Sequence, residues 1–130
     1  MLETGLKGQQ SEIVANGKTA AEMGSGTLPV YATPAMIALM EKTAMLSVAS
    51  ELSEEEATVG TKLEISHLAA SGLGAEIKCE STLVEIDRKR LVFEVAAYAG
   101  ETLIGKGLHE RFLINTVKFM SKLNNKSRKG

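Results

Sequence analysis

Thr33-Pro34-Ala35-Met36-Ile37-Ala38-Leu39-Met40-Glu41-Lys42-Thr43-Ala44-Met45-Leu46-Ser47-Val48-Ala49-Ser50-Glu51-Leu52 is the stretch that decides the fold. It reads as one long helix. The Thr33 hydroxyl can cap the free N–H groups of a first turn. Pro34 suits the first helical position, where no N–H is needed. Met36, Ile37, Leu39, Met40, Ala44, Met45 and Val48 then cover most of the circumference. A helix apolar nearly all round is a buried helix, and it needs a sheet to cover it. Glu41 lies inside that run, eight residues past Thr33. A carboxylate there must be paired, neutral or working. Its plain alternative is a solvated position, with Lys42 marking a polar edge.

Beyond Leu52 the helical period stops. Ser53-Glu54-Glu55-Glu56 has capping-box spacing and reads as a solvated acidic turn. The period then becomes two. Val59, Thr61, Leu63, Ile65 and His67 fall on one expected face, turned toward the helix, and Lys62, Glu64 and Ser66 on the other. Ala75–Ile86 alternates again after the Ser71-Gly72-Leu73-Gly74 turn, Leu91–Ala99 follows the charged Asp87–Arg90 connection, and Thr102–Thr116 follows Gly100-Glu101. Gly105 and Gly107 permit a bulge or bend in that last strand. Upstream, Gln9–Ala15 reads as a first strand, Lys18–Met23 as a helical turn, and Gly24-Ser25-Gly26 as a connection or an entrance loop before the helix.

The order is strand, long helix, then four strands in hairpin-length succession. It predicts an α+β fold in which a roughly five-stranded antiparallel sheet wraps one central helix. Residues 1–123 form the expected single domain, Val117–Leu123 being a terminal extension, and 124–130 a flexible basic tail. Exposed sheet edges make pairing with a second copy an expectation.

Composition excludes several classes. The 130 residues carry a net charge of −1, which supplies no field for nucleic acid or a membrane surface. Five aromatics and no tryptophan leave no base-stacking surface. The longest unbroken apolar run in the helix, Ala35–Met40, is too short to span a bilayer. One cysteine, Cys79, fits a reducing compartment, and with no apolar signal core at the start the expected location is the cytoplasm. Two histidines and one cysteine argue against a zinc site, and no phosphate-binding, dinucleotide or nucleophile-elbow motif occurs. No metal and no cofactor are expected.

The chemistry candidates are few. His67 shares its expected face with Leu63 and Ile65 and can carry a proton near neutrality; a core histidine bonded to a backbone carbonyl is the plain alternative. Capping alone explains Thr33. Arg111, in His109-Glu110-Arg111, can anchor an anion or serve as a surface ion-pair partner. Cys79 points with apolar neighbours and reads as inert.

Three stretches together resemble the hot-dog-fold thioesterases of the fluoroacetyl-CoA thioesterase type. They are Ser25-Gly26 through Val30–Glu41; Val59-Gly60-Thr61 with Ile65-Ser66-His67-Leu68-Ala69; and Ile104–Arg111. The likeness runs over residues 9–119 and implies the following. Thr33, Glu41 and His67 would be a catalytic triad; Gly60 would hold the thioester carbonyl through its N–H; Arg111 would sit near the site. The chain would be a homodimer, its assembly beyond a dimer left open, with acyl-CoA entering at the interface and a site drawing on both subunits. It would hydrolyse a short-chain acyl-CoA to the acid and free coenzyme A, the coenzyme being part of the substrate. Fluoroacetyl-specific members carry phenylalanines before the helix; here that segment is Gly24-Ser25-Gly26-Thr27-Leu28, which implies a general short-chain enzyme. Three other readings stand beside it: a hot-dog acyl-CoA hydratase, which the absence of histidine from Thr33–Leu52 disfavours; a non-catalytic acyl-CoA sensor; and a structural dimer module.

Overall fold

The computed structural model describes residues 1–129, with side chains through Lys126. β1 (Lys7–Ile13) is followed by the short α1 (Ala20–Met23) and the long α2 (Thr33–Ala49). Then come β2 (Glu56–His67), β3 (Glu76–Asp87), β4 (Arg90–Ala99), β5 (Thr102–Asn115) and α3 (Thr116–Lys129). One five-stranded sheet, in the order β1-β3-β4-β5-β2 and antiparallel throughout, wraps α2. This is the expected hot-dog arrangement. β1 and β2 are its two edges.

The core lies between α2 and the inner sheet face. Ala35, Met36, Leu39, Met40, Ala44 and Val48 pack against Ile77, Cys79, Leu83, Leu91, Phe93, Val95, Ala97 and Ile104. Close approach of helix to sheet needs missing side chains: a Cβ on Gly105 would stand 2.5 Å from Met36 Sδ, and one on Gly8 2.7 Å from Ser47 Cβ. The helix is not buried all round, contrary to the reading of its apolar run. Ala38, Met45 and Leu46 face outward. It also ends at Ala49, short of Leu52. β1 begins two residues earlier than expected, and α3 continues to Lys129, through most of the segment read as a tail.

β2 holds the feature that alternation alone conceals. Its register against β5 shifts between Gly60 and Lys62, leaving Thr61 as an extra residue. Before the bulge, Thr58 and Gly60 face inward, opposite Leu113 and Arg111; after it, Leu63, Ile65 and His67 do, opposite His109, Gly107 and Gly105. The single face expected to run from Val59 through His67 is therefore two half-faces joined at a bulge. Further shifts occur at Val84 and at Ile104, the latter beside Gly105.

Candidate active site

The sequence-predicted residues assemble as two clusters on the inner side of β2. At the N-terminus of α2, Thr33 Oγ1 lies 2.8 Å from His67 Nδ1. Thr33 is not the cap. That position belongs to Ala32, which makes no side-chain cap bond, and the hydroxyl goes to His67 instead. The ring of Tyr31 meets His67 edge-on, with centroids 6.5 Å apart, and Tyr31 Oη donates to Glu12 at 2.6 Å. Burial, then the Glu12 bond, push the Tyr31 phenol far up, so it stays a neutral donor. His67 Nε2 is buried and has no hydrogen-bond partner among the described residues.

This pair opens on a cavity of about 330 Å³ lined also by Ala20, Ser25, Val30, Leu68 and Ala69. The Gly-rich segment beside it is pinned by Ala20 N–H to Val30 O, Ala21 N–H to Leu28 O and Ser25 N–H to Ala20 O. Gly24, at φ +78°, ends α1 in the left-handed turn that glycine adopts without strain.

Glu41 heads the second cluster. Its side chain is 39% exposed, so it is neither buried in the core nor fully solvated. Oε2 stands 3.6 Å from Arg111 Nη1 and rests against Gly60, where a Cβ would come within 2.6 Å of it. Arg111 is buried, with its side chain only 6% exposed, which removes the surface ion-pair reading. Its Nε donates to Thr58 Oγ1 at 2.8 Å, its Nη2 to Thr58 O at 3.0 Å, and its Nη1 to His109 Nε2 at 3.0 Å.

Eight residues of helix separate Thr33 from Glu41 by about 12 Å along the axis and about 80° around it. No hydrogen bond or ion pair joins the two clusters among the described residues. The three residues are thus not one contiguous triad within a protomer. His109 and Thr58 escaped sequence reasoning. The signal for the first was available, because His109 and Arg111 are two apart and share a strand face. Cys79 is buried, and burial pushes its thiol up to about 11, in keeping with an inert thiol. No group of three or more potential metal-ligating side chains occurs among the described residues.

A profile of the FlK family, fluoroacetyl-CoA-specific thioesterase, matches residues 14–117. The fluoroacetyl-CoA thioesterase of Streptantibioticus cattleyicolor is 34% identical over 101 residues, 78% of this chain and 73% of that protein. The structure of a threonine-to-serine variant of FlK in complex with acetyl-CoA superposes with a TM-score of 0.90 at 27% identity, covering 96% of this chain and 98% of the other. A thioesterase-superfamily protein from Thermus thermophilus shares the fold at 24% identity, with a TM-score of 0.91 over 99% and 96% of the two chains. Fold and relatives define a thioester hydrolase of the hot-dog class. Within that class, the chain belongs to the fluoroacetyl-CoA-specific thioesterase family.

Proposed function

We propose that this protein hydrolyses a short-chain acyl-CoA, with Glu41 acting on the thioester carbonyl. The observation that carries the reading is the Glu41 carboxylate laid against the bare backbone of Gly60. A thioester oxygen approaching Gly60 can take the oxyanion N–H there, beside the carboxylate, where a side chain would block it. Glu41 attacks the carbonyl carbon and coenzyme A leaves as its thiol, its sulfur taking a proton from His67. Water, giving a proton back to His67, then cleaves the mixed anhydride to release the carboxylate product and regenerate the Glu41 carboxylate. In the general-base version, Glu41 takes a proton from the attacking water instead. Incorporation of solvent ¹⁸O into Glu41 during a single turnover selects the first route.

The separation of the clusters, about 12 Å along α2 from helix rise, calls for a second copy. β2 is a 12-residue edge strand, with Leu63 exposed on its inner face. Antiparallel pairing of two such edges about Leu63–Glu64 sets Gly60 of one protomer beside His67 of the partner subunit. The homodimer then completes two sites, each with Glu41, Gly60 and Arg111 from one protomer and Thr33 and His67 from the other. Small residues around the Thr33–His67 cavity, Ala20 and Ser25 among them, suit a general short acyl group more than a fluoroacetyl-selective site. A reducing, cytoplasmic setting agrees with the single buried thiol.

The test is thiol release from acetyl- to hexanoyl-CoA, with fluoroacetyl-CoA included, by wild type and Glu41→Gln. Release that collapses in the variant, while its oligomeric state is unchanged, is the expected result. Equal rates remove Glu41 from the chemistry. Binding of acyl-CoA without release by the wild type makes the protein a sensor.

A further inference from the structure

We propose that His109 is a positioning residue that aims Arg111 at Glu41; the catalytic part of this inference rests on the function proposed above. His109 is fully buried on β5, its ring tilted 31° to Phe93 with centroids 6.4 Å apart. Both ring nitrogens are engaged. Nδ1 lies 2.9 Å from Lys62 O, an atom that only accepts, so Nδ1 carries the proton. Nε2 lies 3.0 Å from Arg111 Nη1, a group that only donates, so Nε2 is bare. Each contact demands the same neutral tautomer. An imidazolium would turn an N–H toward the guanidinium and set two cations in contact.

The carbonyl that sets the tautomer belongs to Lys62, the first residue beyond the Thr61 bulge. A Cβ at Gly60 would also touch His109 Cε1, at 3.2 Å. The bulge, the glycine and the imidazole therefore form one packed unit beneath the carboxylate. Thr58 holds the Nε and Nη2 edge of the guanidinium. His109 takes one Nη1 hydrogen, which fixes the plane and leaves Nη1 facing Glu41 Oε2 at 3.6 Å. Neither His109 nor Thr58 needs to touch substrate for this.

The experiment compares His109→Phe, His109→Gln, Arg111→Met and the His109→Phe/Arg111→Met double variant on the best acyl-CoA. Phenylalanine keeps the ring packing and removes both nitrogens. It is expected to lower kcat about tenfold or more with KM changed less than about twofold. Glutamine places an acceptor near the Nε2 position and is expected to restore most of the loss. In the Arg111→Met background, His109→Phe is expected to cost nothing further, because its effect passes through the arginine. Multiplying losses, no rescue by glutamine, or an unaffected kcat in His109→Phe each overturn the proposal.

Imidazole ¹⁵N spectra of the wild type decide the geometry where a variant fails to fold. One protonated Nδ1 and one bare Nε2 are expected across about pH 6–8; an imidazolium or the opposite tautomer overturns it. If the wild type releases no thiol from any substrate, the function proposed above fails. The spectra still decide whether His109 holds Arg111.

Discussion

Glu41 and Gly60 are matched by subtraction: the carboxylate of one occupies the space a methyl group on the other would need, 2.6 Å from Oε2. Gly60→Ala is therefore expected to displace Glu41 while leaving the edge strand paired. The carboxylate is the end of a flexible side chain and can move. Displacements of this size cost roughly 100-fold in rate, and the buried His109 Cε1 and Arg111 Nη1, 3.2 and 3.3 Å from the same Cβ, add a loss of melting temperature. Parallel assays of kcat and thermal unfolding check this; wild-type turnover in Gly60→Ala would show that the contact has no bearing on the chemistry.

The Thr33–His67 bond predicts a separable effect. Thr33→Val keeps the shape and removes the hydroxyl partner of Nδ1. Because Thr33 is exposed, stability should move by no more than about 0.5 kcal/mol. Turnover should fall roughly tenfold, the worth of one well-placed hydrogen bond, and Thr33→Ser should retain most of it. If valine and serine behave alike, the hydroxyl is not used.

Arg111→Ala should cost stability as well as activity. It strips partners from Thr58 Oγ1, Thr58 O and His109 Nε2, all inside the sheet. A loss of about 2–4 kcal/mol follows from leaving such groups unsatisfied. Urea denaturation measures it, and a silent substitution would contradict the buried network.

His109 also predicts a pH dependence of stability. Burial lowers the affinity of this imidazole for a proton, with Arg111 adding to the effect and the Lys62 carbonyl, Glu41 and Glu110 opposing it. Between its folded value and the ordinary value of about 6.5, the unfolded chain binds more protons. Stability therefore rises with pH across that interval. It is fully present above the unfolded value and is lost as pH falls through the folded one. Urea midpoints at about pH 7.5 and 5.5 should differ more in wild type than in His109→Phe. Equal slopes would assign the titration elsewhere.

Much of this was legible in the chain. Pro34 marked the helix start, and alternation through the first half of β3 marked that strand. Glu41 and His67 stood out as polar groups in apolar patterns, whereas Thr33 read as a cap and joined them only through the family resemblance. What stayed hidden has physical causes. Capping preference is a local rule, and at Thr33 a long-range bond to His67 overrides it. The apolar circumference of α2 reflects more surface than one sheet covers, so Ala38, Met45 and Leu46 remain outside. The depth of Arg111 depended on Thr58, a partner 53 positions away.

Gly60 and His67 are seven residues apart on one strand, an odd step that in a regular ladder sends one of them outward. Both face α2 only because Thr61 adds a residue to β2 without adding a partner on β5. The strand therefore has a reading frame. What it presents to α2 is written in the count of residues between two positions and in no one side chain. Thr61 can change identity without cost to that count. Its deletion restores a regular ladder and turns everything on one side of the excision to the opposite face. The requirement at this point is one of length, so that substitution scanning passes over what a one-codon deletion exposes.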